Sequence, residues 1–162
     1  MDATTLHRVM LQAERLCRER RVRFTPQRRK ALEIVCDADR PMGAYEILDA
    51  MRDAIPGAAP PTVYRALDFL LEQGLIHKLE SLHAFVGCIH PEHPHSSQFL
   101  ICSACGKISE LEDTGISQSV QEAASSTGFR PIQPIIEVLG TCGTCSRHAE
   151  KTKKKRTSPN ER

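Results

Sequence analysis

The chain has 162 residues, enough for one ordinary domain or two small ones, and its 40% hydrophobic and 26% charged content excludes both a membrane-embedded and a wholly disordered class. With no tryptophan and only 4% aromatic residues, two small cores would be thinly stabilised, so a metal or an oligomer interface is expected to help. The net charge of +2 is uneven: residues 151–162 carry six positive charges and one negative, which reads as a disordered, solubilising tail.

No apolar run approaches a membrane span, and the first residues lack the basic-then-apolar pattern of a secretory signal. A cytoplasmic location is therefore expected. In that reducing setting seven cysteines point to metal binding or redox chemistry before disulfides.

In chain order, Leu6, Val9, Met10, Ala13, Leu16 and Cys17 recur at three- and four-residue spacing, which predicts a first helix with Cys17 in its apolar stripe. Thr25-Pro26 is a cap followed by proline at the first helical position and opens a second helix that buries Ala31, Leu32, Val35 and Cys36. A basic cluster, Arg15 to Lys30, lies across these two helices. A third helix starts near Ala44, buries Ile47, Leu48, Met51 and Ile55, and ends at Pro56-Gly57. Pro60-Pro61-Thr62 opens a fourth, with Val63, Ala66, Leu67, Leu70 and Leu71 inside, Thr62, Tyr64, Arg65, Asp68 and Glu72 outside, and Gly74 as its stop. Two strand-like runs follow, Leu75–Leu79 and Ala84–Cys88, joined by a tight turn.

This order is that of a winged helix-turn-helix. A helix presenting Thr62, Tyr64 and Arg65 in its first turns suits a DNA major groove, because arginine bonds two acceptors on a guanine edge and hydroxyls reach phosphates. For Arg65 alone a solvated helix face is the better reading. Arg65 together with Tyr64, Lys78 on the hairpin and the Arg15–Lys30 cluster favours DNA, and Tyr45 and Arg28 join the set of candidate contacts.

Beyond Cys88 the composition turns rich in proline and histidine over residues 89–97, which reads as a hinge. Strands are then expected at Phe99–Ile101, Lys107–Leu111 and Ile135–Leu139, with a weak helix over 115–127. The fold class is α+β: a winged-helix domain over 1–82, a hinge over 83–97, a small α+β unit over 98–150 that is too small to stand easily alone, and the tail.

Cys102-Ser103-Ala104-Cys105 and Cys142-Gly143-Thr144-Cys145 form two Cys-x-x-Cys knuckles, with Gly106 and Gly143 placed to ease their turns. Two such pairs in one small unit are much more often a zinc site than a redox pair. Four thiolates suit tetrahedral Zn²⁺ and leave no open position, which marks a structural metal.

The paired knuckles, Thr25-Pro26-Gln27-Arg28, and the run Pro61-Thr62-Val63-Tyr64-Arg65-Ala66-Leu67 with Leu70-Leu71-Glu72-Gln73-Gly74-Leu75-Ile76-His77-Lys78 together resemble the ferric-uptake-regulator (Fur) family, and within it the zinc-uptake branch, from about residue 4 to residue 146. The resemblance implies a dimer that binds pseudo-palindromic operator DNA when metal-loaded and represses transcription, here of zinc-uptake genes, with no catalytic activity. It implies two zinc ions per chain: a structural one on Cys102, Cys105, Cys142 and Cys145, and a regulatory one on His77, Cys88, His95 and Glu110. Taken singly, Cys88 reads as a small buried hydrophobe and His77 as one polar residue on an alternating strand. As a set, one sulfur, two nitrogens and one oxygen fit borderline-soft Zn²⁺, and the sulfur separates it from an iron-type set. A further metal site seen in some members is in doubt, because Ser96-Ser97-Gln98 follow His95. His83, His90 and His93 are surface or weak auxiliary positions.

Other readings stay open at this point. An iron- or peroxide-sensing member of the same family is one, and a thiol redox switch on the four cysteines is another. A zinc-dependent deaminase is a third, since His90-Pro91-Glu92 ahead of Cys102-x-x-Cys105 echoes that signature, although Ile101 stands where it has proline. Asp49 and Arg52, three apart on one helix, read as a local ion pair before a contact between adjacent dimers.

Overall fold

The computed structural model describes residues 3–88, 90–92, 97–131 and 134–148. His93, His95 and the basic tail lie outside them. The chain divides into two compact units, Met1–His95 and Ser96–Arg162. No helix among the described residues is long and apolar enough to cross a membrane.

The first unit runs α1 (Ala3–Glu19), α2 (Pro26–Asp37), β1 (Met42–Gly43), α3 (Ala44–Ala54), α4 (Pro60–Glu72), β2 (Ile76–Leu79), a 3-10 turn (Glu80–Leu82) and β3 (Ala84–Gly87). Local chemistry sets each boundary. Thr25 caps α2 by accepting the Arg28 backbone N–H at 3.4 Å. Glu46, in the first turn of α3, accepts the Gly43 N–H at 2.8 Å. Gly74 ends α4 with φ of 66°, where the Leu75 N–H bonds the Leu70 carbonyl at 2.9 Å.

The apolar stripes of these helices meet in one core that holds Leu32, Ile47, Met51, Val63, Leu67 and Leu70, and Cys17 and Cys36 are buried in it as expected. Ile55 and Leu71 are only partly buried against it, and Phe69, not anticipated as a core residue, is buried. The hairpin is the wing, and its sheet has a third strand the sequence did not announce: β1 pairs antiparallel with β3, Met42 opposite Phe85. His83 turns the wing in the left-handed region, at φ of 48°.

The second unit is a three-stranded sheet, β4 (Ser97–Cys102), β5 (Ile108–Leu111) and β6 (Ile135–Gly140), with α5 (Thr114–Ser126) between β5 and β6 in the chain. The order is β5-β4-β6, antiparallel on one side and parallel on the other. Asp113 caps α5 by accepting the Ile116 N–H at 3.0 Å, and the Gln98 side-chain amide ties β4 to that helix through Ser117 Oγ at 3.0 Å and the Asp113 carbonyl at 2.8 Å. Among the described residues of this unit only Gln98, Phe99, Ile101 and Cys102 are buried. Leu100, Val138, Leu139 and Phe129 are about half exposed or more, at 45%, 50%, 59% and 66%.

Candidate functional site

The topology of the second unit brings the four cysteines together. Parallel neighbours end at the same edge of a sheet, and the β4–β6 register pairs Cys102 with Gly140. The first knuckle is the turn from β4 into β5, closed by Cys102 N–H to the Lys107 carbonyl at 2.9 Å and by Gly106 N–H to the Cys102 carbonyl at 2.8 Å. Gly106 takes φ of 72°, a conformation a β-carbon disfavours. The second knuckle leads from β6 into a helical turn over residues 143–148. Gly143 does not enter the left-handed region, so its expected role in easing that turn is not seen.

The sulfurs of Cys102, Cys105, Cys142 and Cys145 lie within 4.8 Å of one another, with Cys105 Sγ 3.8 Å from Cys142 Sγ. A tetrahedron of thiolates at about 2.3 Å from a zinc ion has edges of about 3.8 Å, so the donor set fits that ion in chemistry and in size. The Cys142 N–H points at Cys102 Sγ from 3.3 Å. This N–H, helped by those of Cys105 and Ala104, brings the Cys102 thiol down to about 6. The Cys142 thiol is lowered chiefly by the Cys145 N–H. Cys145 goes the other way, to about 12, because the Cys142 and Cys105 sulfurs crowd it. The cluster is thus poised for negative charge yet cannot carry four thiolates unaided, a mismatch a divalent cation removes.

The wing carries two further sequence-predicted ligands. His77 pairs with Val86, and beyond the last strand pair the Cys88 N–H bonds the Leu75 carbonyl at 3.0 Å. Side chains alternate along each strand, so His77 and Cys88 stand diagonally on one face, a separation of about 7–8 Å between such positions. Both are buried, at 5% and 1%. Glu110 is on β5, opposite Phe99 in the sheet of the second unit, and is partly buried. Gly87 makes the wing lie close on α2: a β-carbon there would stand 2.5 Å from Cys36 Sγ.

The other candidate residues divide by what already engages them. Tyr45 and Tyr64 are exposed, at 70% and 45%, as is Arg65, and none of the three side chains has a hydrogen bond or ion pair among the described residues. Thr62 is half-buried on the same helix as Arg65. Lys78 bonds Glu80 at 2.8 Å. Arg28 stacks over Phe69, 3.6 Å from the ring centroid, and donates to the Arg23 carbonyl. Asp49 and Arg52 form the expected local pair at 3.1 Å. His83 and His90 are exposed, and His90 Nδ1 lies 3.7 Å from Glu92. Both cysteine pairs enter one cluster, so the deaminase signature has no cysteine pair left for it.

A winged helix followed by a small sheet that gathers four cysteine sulfurs within the span of one metal ion is the architecture of a metalloregulator. The sequence pattern of the "Ferric uptake regulator family" matches residues 19–139, and the chain belongs to that family. It is 44% identical over 130 residues to the "Zinc uptake regulation protein" of Escherichia coli (strain K12), covering 80% of this chain and 76% of that one. Among solved structures it is similar to "Zinc Uptake Regulator Complexed With Zinc AND DNA", with a TM-score of 0.85 at 41% identity over 92% of this chain and 99% of that one. It is also similar to "Crystal structure of holo XcZur", with a TM-score of 0.79 at 46% identity over 85% and 96% of the two chains.

Proposed function

We propose that the chain is a zinc-responsive transcriptional repressor that binds pseudo-palindromic operator DNA as a homodimer. The observation that carries this reading is the pairing of a four-cysteine cluster of metal-site size with a winged helix whose Tyr45, Tyr64 and Arg65 side chains are exposed, in a chain 44% identical to a zinc uptake regulation protein. Cys102, Cys105, Cys142 and Cys145 would hold a structural zinc. His77, Cys88, His95 and Glu110 would hold the regulatory one, with His77 and Cys88 displayed together by the wing. A single ion shared by these ligands narrows the conformations of the chain to those in which two recognition helices enter successive major grooves, about 34 Å apart. The hinge is residues 89–96, because Ala84–Gly87 are the wing strand β3 and Ser97 begins β4. The exposed Leu100, Val138, Leu139 and Phe129 supply the apolar surface that a second copy covers.

Arg65 is the base-reading residue, supported by Tyr64, Thr62 and Tyr45. Lys78 can exchange its exposed Glu80 pair, worth about 0–1 kcal/mol, for a phosphate. Arg28 contributes through its stacking on Phe69 as well as its charge.

The test is operator binding at buffered free zinc, with ferrous iron and peroxide in parallel. Zinc alone should activate binding. Activation by iron, or abolition by peroxide before zinc is chelated, selects the iron-sensing or redox reading instead.

A further inference from the structure

In the first unit one side chain touches two segments that the proposed switch must connect. Arg20 follows the end of α1. Its Nη1 donates to the carbonyl of Gln73 at 2.5 Å and lies 3.4 Å from Gln73 Oε1, while its Nη2 donates to the carbonyl of Pro91 at 3.4 Å. Gln73 caps the C-terminus of α4, where carbonyls lack helical partners and a cation is favoured. Pro91 is buried and stands in sequence between Cys88 and His95, two of the four proposed regulatory ligands. A second tie holds the same segment: Gln12 of α1 donates to Glu92.

We infer that Arg20 is a coupling residue, which transmits the position of the Pro91–Glu92 segment to the recognition helix. The inference rests on the zinc-responsive reading above. The rigid fork of a guanidinium can bond two carbonyls at once in a fixed geometry, which an ammonium cannot. Metal capture on either side of Pro91 fixes that segment. Arg20 then passes the constraint to the end of α4 opposite the Thr62–Arg65 face. Without it the ion is still bound, but α4 no longer feels it. Arg20 is assigned neither to the metal site nor to the DNA-contacting face. Its loss should therefore change the linkage between them and leave each binding surface intact.

The experiment uses the full-length dimer and a labelled duplex selected from random sequences by the zinc-loaded wild-type protein. Fluorescence anisotropy gives the duplex affinity with the regulatory zinc chelated and with it saturated. The ratio of the two affinities is the quantity of interest. In Arg20→Met it should fall at least about fivefold. The affinity for a random duplex should stay at the wild-type value and the thermal midpoint should fall by no more than the few degrees one helix-end contact is worth, whereas a purely structural role would lower both. By reciprocity the tightening of zinc binding by the selected duplex must fall by the same factor. Arg20→Lys should behave like Arg20→Met, because the fork and not the charge is required. Gln12→Leu should show a smaller loss in the same direction, and it carries the test if Arg20→Met does not yield a folded dimer. A ratio within twofold of wild type in Arg20→Met, or in Gln12→Leu where that variant decides, overturns the coupling role alone. A wild-type ratio near one overturns the zinc-responsive reading, and this inference with it.

Discussion

The two units solve the same problem in opposite ways. Met1–His95 closes an apolar core from four helices and a wing, with Leu32, Ile47, Met51 and Leu70 fully buried. Ser96–Arg162 buries four described residues, leaves α5 with none, and gathers four sulfurs at one edge of its sheet. A small sheet that leaves Leu100, Val138 and Leu139 about half exposed or more has too little buried area to offset its chain entropy. A metal centre of this kind contributes about 10–16 kcal/mol in zinc-finger peptides, comparable to the stability of a whole domain. The first unit is built by burial. The second needs an ion and a partner.

The largest expected break in that contrast is Cys102→Ser. It should remove one zinc per chain and the fold of the second unit, while the first keeps its helices. Far-UV circular dichroism and metal stoichiometry on one sample check this, and a native-like dimer with one fewer metal would refute the structural site. Next is Leu67→Ala in the first core, fully inside and expected to cost about 2–5 kcal/mol without loss of metal, read by urea unfolding. Gly87→Ala is smaller. Its new β-carbon collides with Cys36 Sγ, so a cost of about 1–3 kcal/mol is expected, and Cys36→Ala in the same chain should restore most of it. Asp49→Ala should be smallest. It breaks an exposed ion pair worth about 0.5 kcal/mol or less, which a thermal melt would barely register.

Legibility in the sequence follows the same divide. The helices of the first unit are written in their periodicity and caps, so their limits fall within a residue or two of those expected. Phe69 escaped because it sits between the apolar positions of α4 and is buried by the Arg28 stack, a tertiary contact no spacing announces. β1 escaped because two residues carry no pattern, and only pairing with β3 makes them a strand. The cysteine quartet was legible as chemistry. Its convergence was not, since that depends on β4 and β6 being parallel neighbours. His77 and Cys88 look unremarkable one at a time, and the hairpin register is what sets them on one face. The ties of Arg20 and Gln12 to Pro91 and Glu92 span 71 and 80 residues, a separation at which sequence pattern says nothing.

One zinc builds the second unit in the proposed mechanism, and another only switches the chain. Stepwise removal of zinc with chelators of increasing strength, following metal content, operator binding and secondary structure together, tests this directly. Operator binding should disappear with the first zinc while the circular dichroism spectrum stays unchanged, and unfolding should accompany only the second. Loss of binding and of structure in a single step, with one zinc per chain, would contradict it.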